Sequence, residues 1–140
     1  MAAKDLIHEP VRKALENADW TITDDPLTLV YEDKYVFADL GAERSLIGAQ
    51  RDLEKIAVEI KSFVTRSVMQ DLEEALGQYV VYLTFLEQIE PERKLYLAIS
   101  DTTYTVIADS KAIQLLLRKY QVSLLVVNIE QKEVIAWIPN

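Results

Sequence analysis

The stretch that decides the fold is Ile56-Ala57-Val58-Glu59-Ile60-Lys61-Ser62-Phe63. Successive side chains of a β-strand point to opposite faces. Read that way, Ile56, Val58 and Ile60 make one apolar side directed into a core, and Glu59 and Lys61 stand side by side on the other. A charged pair backed by an apolar layer is what an acidic metal ligand with a neighbouring cation requires. The strand is predicted over residues 54–63.

Upstream, residues 27–31 and 34–40 read as two strands joined by a tight Glu32-Asp33 turn. If residues 34–40 and 54–63 pair as neighbours, Asp39 approaches Glu59 at the inter-strand spacing of about 4.8 Å. Two carboxylates that close repel one another unless a cation lies between them. Oxygen ligands of this kind suit Mg²⁺ or Mn²⁺, and the backbone carbonyl of Ile60 is a further oxygen. Residues 41–53 form a polar connection holding two of the three glycines, long enough to carry function or a short helix. Further back, residues 5–18 have the spacing of an amphipathic helix, which Pro10 places from His8 or Glu9 onward. Residues 20–23 alternate as a short strand, and Asp24-Asp25-Pro26 is a turn signal.

Downstream, Ser67 with Gln70 three residues later is a capping-box signature for a long helix. Val68, Leu72, Leu76, Tyr79, Leu83 and Leu86 are its core stripe, and Glu90-Pro91-Glu92 ends it. Gln78 and Tyr82 lie one turn apart beside that stripe, where an amide and a phenol can bond phosphate oxygens or orient Lys61. The alternative is that Tyr82 packs and Gln78 is solvated. Gly77 costs about 1 kcal/mol against Ala inside a helix, so close approach to the sheet or to a ligand is expected there. Residues 94–100 read as a strand, 103–108 as another strand or an extended connection, and 110–120 as a helix with Ile113, Leu116 and Leu117 facing in. Residues 122–129 are nearly all apolar, as in a strand covered on both faces, and a turn leads to a strand over 133–138. The expectation is one α/β domain over residues 1–140, a central mixed sheet with helices on both faces.

Composition bounds the function. Half of the 140 residues are apolar and 27% are charged, as in an ordinary globular domain. There is no cysteine, which excludes disulfides and thiolate zinc sites and suits a reducing cytoplasm. The apolar runs are too short to span a bilayer, so no membrane partner is expected. The net charge of −8 opposes broad nucleic-acid binding. Between residues 44 and 66, however, Arg44, Arg51, Lys55, Lys61 and Arg66 outnumber Asp52, Glu54 and Glu59, which makes either a local basic lip or a normal solvated surface. No glycine-rich phosphate loop is present, and the single histidine, His8, has no indicated triad partner. His8 is either a site residue near Glu9 or a cap or surface contact.

Asp39, then Glu59-Ile60-Lys61, then Gln78 to Tyr82 resembles the PD-(D/E)xK nuclease superfamily, in the branch with a Q-x-x-x-Y helix. More of the chain resembles the XisH family of DNA element excision factors. The matching segments include Lys4-Asp5 with His8, Trp20-Thr21-Ile22-Thr23 with Asp25-Pro26, Ala38 to Glu43, Ile56 to Phe63, Ala75 to Tyr79 and Leu95 to Ala98. The resemblance implies a restriction endonuclease-like fold, a role in excising a DNA element, and a companion of the XisI type. It further implies that Asp39 and Glu59 hold Mg²⁺, that Lys61 stabilises the attacking water and the phosphorane charge, and that Gln78 and Tyr82 support the site. His8 and Glu9 are accessory candidates from the first helix. The sequence departs from the pattern at Ala38, where the motif has proline.

Three functions follow as alternatives. One is a Mg²⁺-dependent DNA endonuclease. Another is a non-catalytic accessory that binds DNA, a recombinase or an XisI-type partner. The last is a protein-binding subunit of a homo- or hetero-oligomer, with Val134, Ile135, Trp137 and Ile138 of the terminal hairpin at the interface.

Overall fold

The apolar alternation around Val58 builds the middle of a six-stranded mixed sheet. The computed structural model describes residues 4–45, 53–64 and 67–140. In chain order the elements are α1 (His8–Asn17), β1 (Thr21–Asp24), β2 (Leu27–Tyr31), β3 (Lys34–Ala38), β4 (Leu40–Ser45) and β5 (Leu53–Ile60). There follow α2 (Val68–Ile89), β6 (Lys94–Ser100), α3 (Asp101–Ala108), α4 (Lys111–Lys119), β7 (Leu124–Asn128) and β8 (Glu133–Ile138). The main sheet runs β1-β4-β5-β6-β7-β8, and β2 with β3 forms a separate two-stranded sheet. Strands β5, β6 and β7 are parallel, and the other pairs are antiparallel. Parallel neighbours need long crossovers, which α2 and the α3–α4 pair supply.

Each face of the sheet is covered. Val11, Ala14 and Leu15 of α1 pack with Ile56, Val58 and Ile60 on one face. On the other, Ala57 meets Leu72, Ala75 and Tyr79 of α2, together with Leu27 and Leu29 of the hairpin. The expected mixed sheet flanked by helices is therefore present. Helix α2 begins where the capping signature placed it, with the Ser67 hydroxyl accepting the Gln70 amide at 3.2 Å. Tyr79 then ties that helix to the sheet. Its hydroxyl donates to the Leu95 carbonyl at 3.1 Å and accepts the Ser123 amide at 3.0 Å.

Three expectations need correction. Residues 103–108 are not a strand but part of α3. The Ser100 hydroxyl caps its first turn by accepting the Thr103 amide at 3.0 Å, Asp101 sits where a helix favours negative charge, and Ile107 is buried. The β-branched Thr102, Thr103 and Thr105 gave the misleading strand signal. The strand expected over 34–40 is two strands: β3 pairs with β2, β4 pairs with β5, and Asp39 lies at the step between them. Finally, residues 41–45 are strand, not connection. Gly41 leaves room for its neighbours there: a Cβ would lie 3.1 Å from Asp24 Oδ2 and 3.3 Å from the Arg93 guanidinium, a tight fit that these side chains would have to ease. Residues 46–52 lie outside the described residues.

The strand around Glu59 ends at Ile60, before Phe63, whose φ of 56° is a left-handed conformation uncommon for a bulky residue. In the terminal hairpin, Trp137 is turned inward, with its ring 5.6 Å from Trp20 and 4.9 Å from Tyr96 between centroids. Ile135 is the member of that apolar set that faces out. Among the described residues no helix is long and apolar enough to cross a membrane.

Candidate functional site

Register brings the two acids together. Antiparallel pairing sets Leu40 opposite Val58, so the residue before Leu40 meets the residue after Val58. Asp39 and Glu59 are near enough to perturb one another's ionisation, and the Ile60 amide donates to Asp39 Oδ2 at 2.7 Å. Strand alternation sends Glu59 to the same face as Ala57, under α2 and the hairpin. It is 5% exposed, so the expectation that it faces away from the core gives way to a buried carboxyl.

Burial dominates the electrostatics of this pair. It raises the Asp39 carboxyl above its ordinary value, against the opposing effect of the Ile60 amide. Burial, and then the facing Asp39 charge, push Glu59 up to about 9. Among the described residues, the buried Glu59 Oε1 has no hydrogen-bond partner. A half-buried acid beside a buried one that keeps its proton, with one oxygen unsatisfied among the described residues, fits a divalent cation: it would displace the proton and use the free oxygen.

All five residues singled out by motif, Asp39, Glu59, Lys61, Gln78 and Tyr82, line one cavity of about 680 Å³. Lys61 is mostly buried and its ammonium lies 2.7 Å from Glu74 Oε1. Burial lowers the Lys61 pKa, but the Glu74 bond and charge outweigh it and the net shift is upward. Tyr82, on the buried side of α2, is held in its phenol form first by burial and then by the charges of Glu59 and Asp39. Ile60 reaches the same cavity, and Tyr35, Phe37 and Val81 make its apolar side.

The wall opposite α2 comes from the start of the chain. Asp5 accepts the Ser62 amide at 3.0 Å and the Ile7 amide at 3.1 Å, fastening this segment to the end of β5. His8 is buried, not a cap or a surface contact, and its Nε2 lies 2.9 Å from Asp25 Oδ1. Arg12 donates to Asp25 Oδ2 at 2.6 Å. Burial raises the Asp25 carboxyl, but the bonds from His8 and Arg12 hold it below the usual carboxylate range. Glu9 is not among the residues lining the cavity; it is exposed and lies 3.7 Å from Lys4. His8, Glu9 and Asp25 do place ligand atoms within 4.8 Å of one another. Arg12 and Lys4 already neutralise that group, which makes it a poor cation site.

Asp5, Asp25, Glu74 and Gly77 also line the cavity and were not marked as site residues by sequence. The signal for Asp5 and Asp25 lay in the family-like segments at Lys4-Asp5 and Asp25-Pro26. The basic lip does not form from its described members. Arg44 bonds Glu54 at 3.2 Å and lies over Trp20, Lys55 is 3.7 Å from Glu90, and Lys61 pairs with Glu74. Arg51 and Arg66 lie outside the described residues.

No curated protein matches the chain significantly. Two solved structures do. One is an XisH family protein from Nostoc punctiforme, with 37% identity, a TM-score of 0.85 and coverage of 96% of this chain and 99% of that one. The other is a fdxN element excision controlling factor protein from Anabaena variabilis, with 38% identity, the same TM-score of 0.85 and the same coverage of 96% and 99%. The XisH protein family model matches residues 1–135. With nearly the whole length matched in sequence and in fold, the chain belongs to the XisH family.

Proposed function

We propose that this chain is a DNA element excision factor with a restriction endonuclease-like fold of the PD-(D/E)xK superfamily, and that it hydrolyses DNA phosphodiesters with Mg²⁺ or Mn²⁺. The observation that carries the reading is buried Glu59, pushed up to about 9 and with Oε1 unsatisfied among the described residues, facing half-buried Asp39 and beside the Lys61 ammonium in one cavity. The excision role comes from the Anabaena variabilis relative, named as a fdxN element excision controlling factor.

Asp39 and Glu59 would hold the ion, with the Ile60 carbonyl as a further oxygen. The bound ion supplies charge neutralisation and acidifies water. The Ile60 amide keeps Asp39 turned toward its partner acid. Lys61 offers its ammonium to the charge that grows on phosphorus oxygens, once Glu74 shares it. Gln78 and Tyr82 donate hydrogen bonds from the α2 side of the cavity.

Purified protein with Mg²⁺ or Mn²⁺ should nick DNA, and Glu59→Ala should abolish nicking. An inert wild type across single- and double-stranded substrates, with and without an XisI-type companion, or an active Glu59→Ala variant, overturns the reading. A second reading is favoured by one contact: Lys61 is engaged by Glu74 at 2.7 Å and not free for a phosphate. In it the chain is a non-catalytic accessory to a recombinase or to an XisI-type partner, assembling as an oligomer, and DNA or partner binding survives Asp39→Ala and Glu59→Ala.

A further inference from the structure

The β2–β3 hairpin has two unlike faces. Leu27, Leu29 and Ala38 are buried and belong to the core beside α2. Tyr35 and Phe37 alternate onto the other face, opposite Val30 and Thr28, and are 64% and 53% exposed. The core is built without these two rings, yet both line the cavity that holds Asp39 and Glu59. Asp39 follows Phe37 by two residues and Tyr35 by four, so its Cα lies at most about 7 and 14 Å from theirs. Exposed Val81 of α2 extends the same apolar wall.

Charge decides what such a wall can take. Among the described residues, the lysines and arginines lining the cavity are Lys4 and Lys61, and both are engaged. Lys4 lies 3.7 Å from Glu9 and 3.7 Å from Asp25, and Lys61 lies 2.7 Å from Glu74. Duplex DNA carries one charge per about 1.7 Å of its axis and is gripped by many cations. Its bases also keep their faces inside the stack. A cavity of about 680 Å³ has the size for one small ligand, not for a duplex. An unpaired nucleotide suits it better, because its base offers a free π-face and aromatic side chains hold any base by stacking.

Resting on the proposed hydrolysis, we infer that the cavity takes single-stranded DNA, with Tyr35 and Phe37 as the platform on which unpaired bases stack while the adjoining phosphate reaches Asp39 and Glu59. Phe37, nearer to Asp39, takes the base next to that phosphate, and Tyr35 the base beyond it. Affinity then comes from the rings and not from a basic surface, which is how a chain of net charge −8 holds a polyanion. Capture of this kind is tolerant of sequence.

Fluorescence anisotropy in EDTA measures capture apart from cleavage. The probes are a labelled oligothymidine, the same backbone with abasic sugars, and a duplex of equal length. Oligothymidine should bind at least about tenfold more tightly than either of the others. Phe37→Ala and Tyr35→Ala should each weaken it by about five- to a hundredfold, and Phe37→Trp should keep it. Both side chains are exposed, so the variants should melt like wild type. Affinity should fall with salt no more steeply than a log–log slope of about −1.4, the value for two neutralised phosphates of a single strand. An abasic strand or a duplex bound as well as oligothymidine, a wild type that binds none of the probes, or an undiminished Phe37→Ala variant overturns the inference. So does a wild-type dimer in sedimentation that Tyr35→Ala turns into a monomer, since the rings would then be covered by a second copy. With Mg²⁺ present the two readings separate. A wild type that captures oligothymidine through these rings but never nicks it sinks hydrolysis alone. One that nicks duplex and single strand with equal KM, unchanged in Phe37→Ala, sinks the stacking platform alone.

Discussion

The amide of Ile60 donates to the Asp39 carboxylate at 2.7 Å, so the residue that follows one acid of the pair holds the other acid in place. This contact couples the strand step at Asp39 to the end of β5. It keeps the two carboxyls together although burial and mutual repulsion both oppose their ionisation.

That opposition has a sign that can be measured. Folded Glu59 keeps its proton up to about 9, whereas a free glutamate releases it near 4.5. Between these values the native state binds more protons than the unfolded one, so the pair's contribution to stability falls as pH rises. Glu59→Gln removes the loss. Its melting temperature should exceed that of wild type at about pH 8, and the gap should close toward about pH 5, by an amount on the order of 1–3 kcal/mol. Calorimetric melts at the two pH values are the check. A gap that widens on acidification contradicts the assignment.

A divalent ion at this pair must expel the proton that Glu59 keeps. Mg²⁺ or Mn²⁺ affinity should therefore increase with pH toward about 9, where Glu59 ionises unaided. Titration calorimetry in buffers of different ionisation enthalpy should report about one proton released per ion. Asp39→Asn and Glu59→Gln should each remove the binding. Affinity that is flat with pH would place the ion elsewhere.

Gly77 stands inside α2 and lines the cavity, yet a Cβ there would meet nothing within 4 Å. No close approach to the sheet explains the glycine, contrary to one of the two expectations for it. Gly77→Ala should stabilise the protein by about 1 kcal/mol, through helix propensity alone. The added methyl projects where a ligand would lie, so DNA turnover should drop while Mg²⁺ affinity holds. Thermal denaturation beside a cleavage assay tests both halves.

Tyr79 carries a buried bond to the Leu95 carbonyl and a half-buried one from the Ser123 amide. Tyr79→Phe strands both partners and should cost about 1–3 kcal/mol. A lower urea midpoint with an unchanged slope is the expected result.

The sequence made the sheet legible where alternation was clean. Ile56, Val58 and Ile60 share a face, and residues 94–100 and 133–138 are strands with the bounds expected. The capping hydroxyl of Ser67 was equally plain. Two kinds of information were not local. The break at Asp39 arises because β3 and β4 join different sheets, and nothing in residues 34–40 distinguishes one strand from two. The helix α3 owes its form to the Ser100 cap and to Ile107 packing on the sheet, which outweigh the strand preference of its threonines. At the site, periodicity put Glu59 beside Lys61 and Gln78 beside Tyr82, but it was the family resemblance that joined them with Asp39 into one set. Asp5, Asp25 and the buried position of His8 depend on where α1 docks, which no spacing within the chain encodes.

The pairing of β4 with β5 runs from Leu40 opposite Val58 to Ser45 opposite Leu53. Five residue steps at about 3.4 Å each put these ends about 17 Å apart. Ser45 is exposed at the end remote from the acids, and the chain has no native cysteine. Ser45→Cys thus creates a sole thiol at which a fluorophore could be attached, letting ligand capture be followed optically without a label crowding the chemistry.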